Sequence, residues 1–405
     1  MEGSDHNASV MATGLVQSFT QSLLAMAFNL MGIVAGTFIA INIDVFSLAP
    51  WAIVILPGII SVRGVIEGLF SARLSTGLHV GSIKPQFRNN TKSFYLLYYV
   101  IATLTVGASL MIGTSTSLVG TFSWGSSVTT TGAILSVTAA AMFLLMLVAS
   151  PISIGVSILS FKHGLDPDIM LYPIVSTTSD VIVTSSYILV LNTFFLWAPL
   201  GTWLIWLFDA AFILFTIYST IRRFREEEFS RTIREFVLTL MIVTAVVNVT
   251  GFGLGKISDI VGRRAEVYML YPALIDTVGD VGSVAGSMTT TKLALGIAEP
   301  SLSSIRFHLK EIAGAWSASL ILFAVYSSVP FFFGIITLNS LPGFMAKILM
   351  TNAIAVSIVI LVGYASAILT YKHGLDPCHF VIPITTSFAD SITTLSLLTA
   401  LSVIA

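Results

Sequence analysis

Two aspartates, Asp180 and Asp390, occupy matched places in apolar stretches. Each follows the same hexapeptide: Lys162-His163-Gly164-Leu165-Asp166-Pro167 returns unchanged as Lys372-His373-Gly374-Leu375-Asp376-Pro377, about 210 residues on. The same offset carries Pro173 to Pro383 and Asp180 to Asp390. Identical residues in register over such a distance mark a duplicated unit. Three more acids, Glu67, Asp276 and Asp280, lie within apolar stretches. A carboxylate at the centre of a membrane helix costs roughly 2.5–3.5 kcal/mol, so these acids together would cost on the order of 10 kcal/mol uncompensated. That rivals the whole stability of a domain. Partner cations or a water-filled path must offset it.

Spacing gives the acids company. Positions three and four apart share a helix face. Ser176 and Thr177 lie under Asp180, with Thr184 above it; Thr386 and Ser387 lie under Asp390, with Thr394 above it. Asp276 and Asp280 are themselves i, i+4, and Ser283 and Ser287 continue their stripe. Such oxygen-only stripes suit Mg²⁺, Ca²⁺ or Mn²⁺, whereas Zn²⁺ and Cu⁺ recruit His or Cys. Mg²⁺ keeps several waters and needs only one or two carboxylates, so a wide hydrated site with Asp180 opposed to Asp390 is expected. The competing account is structural. Arg63 stands four residues before Glu67 and pairs with it on one helix face, while the other acids have no basic residue inside their own spans. Burial also favours the protonated, hydrogen-bonded carboxyl.

The elements that must carry these residues are membrane helices. Of 405 residues, 55% are hydrophobic and only 10% charged, with mean hydropathy +0.94. Soluble domains carry about 25% charged residues, so the composition describes an all-α polytopic membrane protein. A net charge of −1 offers nothing to nucleic acid. The single cysteine, Cys378, excludes an intramolecular disulfide, and the scattered histidines form no zinc motif. No nucleophile–base pair is evident, and the chain is not expected to be an enzyme.

About 20 apolar residues cross the hydrocarbon. The expected spans are about Ser18–Ile41, Val45–Phe70, Ser93–Leu118, Thr131–Ser160 and Ile169–Leu196, with a polar loop holding Arg73, His79, Lys84, Arg88 and Lys92 after Phe70. A linking span follows at about Leu200–Ile221, then the charged run Arg222 to Glu228. The second set is about Glu235–Gly255, Tyr268–Thr290, Ile312–Ile336, Gly343–Tyr371 and Cys378–Ile404. The eleven spans read as two five-helix repeats, residues 18–198 and 235–405, joined by a linking helix at 199–222 and a cytoplasmic charged linker at 223–234. Five is odd, so the extra span gives both repeats one orientation: a parallel repeat with a pseudo-two-fold along the membrane normal. Residues 1–17 are a short polar segment without a signal-peptide pattern. One side of this scheme collects most Lys and Arg, among them Arg73, Arg88, Arg222, Arg223 and Arg225, against Lys256, Arg263, Arg264 and Lys347 on the other. The positive-inside rule then puts the N-terminus in the cytoplasm and the C-terminus outside, with the cell membrane as the expected location.

The repeats match in finer detail. Asn29, Gly32 and Gly36 align with Asn248, Gly251 and Gly255, and each pair of glycines makes a GxxxG close-packing motif. Pro57 aligns with Pro272 and Gly64 with Gly279, but Ser61 faces Asp276, Val65 faces Asp280, and Glu67 faces Gly282. The scaffold of this second helix is duplicated; its charges are not.

At this point the residues resemble a known family. Pro57-Gly58…Gly64…Glu67-Gly68…Arg73-Leu74-Ser75-Thr76…His79-Val80-Gly81 resembles the second-helix motif of the MgtE magnesium transporters, and is closest to their duplicated eukaryotic and archaeal solute-carrier relatives. Pro272…Gly279-Asp280…Thr289-Thr290-Thr291 looks like a weaker second copy. Leu165-Asp166-Pro167…Pro173…Thr177…Asp180 and its counterpart ending at Asp390 resemble the fifth-helix motif. The resemblance implies that second and fifth helices line a central ion path between the repeats of one chain, with Asp180 and Asp390 as the main metal residues. Two departures stand out: the family's Gly-Asn is Gly64-Val65 in one copy and Gly279-Asp280 in the other, and the regulatory CBS domains of bacterial MgtE are not in this sequence.

The expected function is therefore divalent cation transport, with Mg²⁺ as the ion and Mn²⁺, Ca²⁺ or Co²⁺ as other candidates, by channel or by exchange with Na⁺ or H⁺. Asp180, Asp390, Asp276, Asp280 and Glu67 are the metal residues; Asn29, Asn248, Gly64, Gly279, Ser176, Thr177, Thr386 and Ser387 line the path. One chain, in its lipid bilayer, holds both halves of the pseudo-dimer. The alternative is a carrier for a small organic cation, which would need an aromatic-lined cavity beside the acids.

Overall fold

The computed structural model describes residues 15–123, 125, 127–163, 167–261, 264–294, 299–373 and 377–403. Among them regular structure is helical: α1 Leu15–Ile41, α2 Pro50–Val80, α3 Lys92–Ser123, α4 Val128–Lys162, α5 Pro167–Leu196, α6 Leu200–Arg223, α7 Glu227–Val261, α8 Ala265–Ala294, α9 Leu309–Phe332, α10 Leu341–Lys372 and α11 Pro377–Val403. Among the described residues nine helices are long and apolar enough to cross a membrane, namely α1 to α7, α9 and α10. α8 and α11 are not in that set; α8 carries Asp276 and Asp280 along its middle.

One expectation needs correction. The polar loop placed after Phe70 begins later, because α2 continues to Val80. Leu74 and Leu78, one turn apart, are both buried and extend the apolar stripe past Phe70. Arg73 therefore sits on the helix. The true stop is Gly81, whose φ of 78° is a left-handed C-cap that glycine adopts without strain.

The chain divides into two compact units, one of residues 41–255 and one of residues 1–40 with 256–405. Each contains a first helix from the other sequence repeat. In the second unit α1 lies on α8: a Cβ at Gly36 would overlap the carbonyl oxygen of Met269, and one at Gly32 would come 2.9 Å from the backbone nitrogen of Ala273. In the first unit α7 lies on α2, where a Cβ at Gly251 would overlap the carbonyl oxygen of Val54. Both GxxxG motifs thus serve backbone-to-backbone contact, which in lipid is driven by van der Waals packing.

The linking helix α6 belongs to the first unit and packs on α3, α4 and α5. Phe212 stacks on Phe143 of α4 with ring centroids 4.1 Å apart, while Trp203, Leu207 and Leu214 stay exposed, the pattern of a lipid-facing surface. Its one acid, Asp209, turns inward and accepts a 2.6 Å hydrogen bond from Ser136.

Candidate functional site

In the first unit the site is built where α2 meets α5. Arg63 and Glu67 are one turn apart on α2, and the guanidinium Nη2 is hydrogen-bonded to the Glu67 carboxylate, as the spacing predicts. The guanidinium has a second partner that its own helix does not reveal: Nη1 lies 3.7 Å from Oδ1 of Asp180 on α5. Ser179 completes the group by donating to Oε2 of Glu67 at 2.8 Å. All three charged side chains are largely shielded, at 6% exposure for Arg63, 13% for Glu67 and 9% for Asp180. A small cavity of about 20 Å³, room for about one water, adjoins Arg63 and Glu67 and is lined also by Thr105 and Ser150. Gly64 faces open space, with nothing within 4 Å of where a Cβ would stand. Ser176 and Thr177 lie on α5, but their side chains fall outside the described residues.

In the second unit the corresponding corner is α8 against α11. A Cβ placed on Gly279 would stand 3.8 Å from side-chain atoms of Thr386 and Ala389, so the two helices pack together at the level of Asp280 and Asp390. Asp276 and Asp280 are half-buried and Asp390 is 9% exposed. Asn29 of α1 donates from Nδ2 to Asp280 at 2.8 Å and to Thr277 at 3.2 Å, and Thr277 in turn meets the hydroxyl of Tyr326 at 3.0 Å. One turn above Asp390, Thr394 shares a 2.8 Å hydrogen bond with the hydroxyl of Tyr271 and donates to the Asp390 carbonyl at 2.6 Å. Ser387 is buried, and its hydroxyl has no partner among the described residues.

The position matching Arg63 here is Val278, fully buried. Asn248, matching Asn29, donates back to Thr244 of its own helix at 2.6 Å. The structure thus joins Glu67 to Asp180 through Arg63, and Asp280 to Asn29 directly. Among the described residues no three His, Cys, Asp or Glu side chains converge into a ready cage for a metal. Asp180 and Asp390 belong to different compact units. The sequence reading missed the Arg63–Asp180 and Asn29–Asp280 pairs because each joins helices far apart in the chain.

Comparison with known proteins bears on the chemistry. The MgtE family model, described as a divalent cation transporter, matches residues 56–190 and again residues 271–400. No curated protein and no solved structure matches the chain. The two matched segments cover well over half of the sequence, and each contains one α2–α5 or α8–α11 corner. MgtE is a transporter family and not an enzyme family, so the buried acids belong to a multi-pass protein that handles divalent cations in the membrane. On that evidence the chain belongs to the MgtE family of divalent cation transporters, in a form that carries the family's unit twice.

Proposed function

We propose that the chain transports Mg²⁺ along a path lined by the second and fifth helices of each repeat. Glu67, Asp180, Asp276, Asp280 and Asp390 are its carboxylates, and Asn29, Asn248, Gly64, Gly279, Ser176, Thr177, Thr386 and Ser387 line it. The observation that carries this reading is the contact of α8 with α11 at Gly279 and Thr386, which sets three acids on two touching helices within a family of cation transporters. Oxygen ligands with room for water fit a hard ion that gives up few of its waters. Single-file dehydration by a closed cage is not required.

In this proposal eleven helices span the cell membrane, α8 and α11 included, with their acids facing the ion path and not lipid. The N-terminus is cytoplasmic and the C-terminus external, and one chain suffices. The acids without a counterpart in the other repeat, Asp276, Asp280 and Glu67, are the candidates for coupling to Na⁺ or H⁺.

Purified protein in liposomes loaded with a Mg²⁺-sensitive dye tests the site. Asp180→Asn with Asp390→Asn should lower the initial Mg²⁺ flux at least about tenfold, as expected when charged ligands are lost from a path through hydrocarbon. Wild-type flux in that double variant rejects the assignment.

A further inference from the structure

The charge triad of the first unit contains its own cation. Two carboxylates can neutralise one divalent ion, or they can hold one guanidinium with a single negative charge left over; both cations together leave a buried excess of positive charge. The structure holds the guanidinium, on Glu67 and 3.7 Å from Asp180. We propose that Arg63 is a resident competitor for the metal, so that Glu67 and Asp180 receive a divalent cation only when its guanidinium is displaced. This rests on the reading above that these acids belong to the ion path.

Three observations support displacement over a fixed structural bridge. The Arg63–Asp180 separation exceeds hydrogen-bond length, so attraction there is Coulombic and forgoes the fork geometry of a tight arginine–carboxylate pair. The buried Nε of Arg63 has no partner among the described residues, whereas a guanidinium fixed for stability satisfies its donors. The small cavity beside Arg63 and Glu67, bounded by Thr105 and Ser150, has room for about one water, which could hydrate the guanidinium as it leaves the acids. At the position matching Arg63 the second repeat has the buried, uncharged Val278, and Asp276 and Asp280 add acids where the first repeat has Ser61 and Val65. In the first repeat, by contrast, the acids are held by a side chain of their own second helix.

The test is equilibrium Mn²⁺ binding to the full chain in lipid nanodiscs, followed by electron paramagnetic resonance of free Mn²⁺ and by competition with Mg²⁺. Arg63→Gln should gain one Mn²⁺ per chain, or bind at least about tenfold more tightly than wild type, while Arg63→Lys stays close to wild type. Unchanged stoichiometry and affinity in a folded Arg63→Gln protein overturns the proposal. Should Arg63→Gln fail to fold, Arg63→Gln with Glu67→Gln removes the charge pair together. In that background Asp180→Asn should weaken Mn²⁺ binding at least about tenfold, against less than about twofold in the wild-type background; equal effects in the two overturn the proposal. Asp280→Asn with Asp390→Asn separates the two levels of argument. If it abolishes wild-type binding while Arg63→Gln changes nothing, the resident cation is wrong and the path stands; if it leaves wild-type binding intact, the path is wrong as well.

Discussion

In residues 41–255 the second helix of the repeat brings a cation to the fifth; in the unit built on residues 256–405 it brings acids instead. The two corners share a proline and a glycine on the second helix and an aspartate on the fifth, yet Gly64 faces open space where Gly279 packs on the fifth helix, and Arg63 faces Val278 and Val65 faces Asp280 in the alignment. Neighbouring polar groups follow the charges. Asn29 reaches across to Asp280, whereas Asn248 turns back on its own helix, where Val65 stands in place of that acid. Tyr271 hydrogen-bonds Thr394, while the matching Thr184 has a buried hydroxyl with no partner among the described residues; Leu56 stands where Tyr271 stands in the other copy. Duplication copied the packing, which restricts how closely the helix backbones approach, while the polar network of the two copies diverged.

The largest effect should come from breaking what the halves share. Gly36→Leu and Gly251→Leu each drive a side chain into a backbone carbonyl of the crossing helix, Met269 and Val54 respectively. No rotamer relieves a clash made by Cβ itself, so each should exceed the about 1–3 kcal/mol usual for overpacking. Both variants should be lost from the folded peak in size-exclusion chromatography of detergent extracts. A folded Gly36→Leu protein with wild-type melting would show that α1 does not need its close seat on α8.

Next in size is the charge difference. Removing one partner of a buried ion pair costs about 3–5 kcal/mol because the other charge is left uncompensated. Arg63→Gln should therefore lower the melting temperature sharply in metal-free buffer and recover much of the loss when millimolar Mg²⁺ is added. Val278→Ala in the other half should cost the transfer and cavity terms of a fully buried side chain trimmed in the core, and respond to Mg²⁺ as wild type does. Equal Mg²⁺ rescue in the two variants would erase the distinction drawn between the halves.

Much of this was legible in the sequence, and the exceptions have a common cause. The helical class, the Arg63–Glu67 pair and both GxxxG motifs follow from spacing within single segments, which one helix period decodes, and the duplication follows from a repeat at a fixed offset. The end of α2 was misplaced because Arg73 and His79 read as polar loop, although the Leu74 and Leu78 stripe continued beneath them. The exchange of first helices between packing units and the bond of Asn29 to Asp280 depend on which helices meet, and no local period encodes that. Arg63 was read with one acid because the other lies on α5, more than a hundred residues along the chain.

Asparagine offers a milder test. Asn29→Leu removes a donor shared by Asp280 and Thr277 and should cost about 1.5–3 kcal/mol, the range for a hydrogen bond to a charged group. Asn248→Leu gives up a bond to a carbonyl already engaged in its own helix and should cost less than about 1 kcal/mol. Denaturation in mild detergent with increasing sodium dodecyl sulfate resolves the two, and a reversed order would mean that Asn248 has the greater structural role.

The smallest effect isolates one hydroxyl in each half. Thr394 and Thr184 occupy the same turn above their aspartates, and both are fully buried. Thr394→Val removes the partner of Tyr271 and leaves a phenol hydroxyl inside the core, which should cost about 1 kcal/mol. Thr184→Val replaces a hydroxyl that has no partner among the described residues by a methyl of nearly the same shape, so its desolvation is recovered and the change should be neutral or slightly stabilising. Tyr271→Phe together with Thr394→Val should then cost less than the sum of the single changes, since each alone orphans the other. A loss of 1 kcal/mol or more in Thr184→Val would show that the first unit satisfies this hydroxyl in the membrane, through water or through the ion path itself.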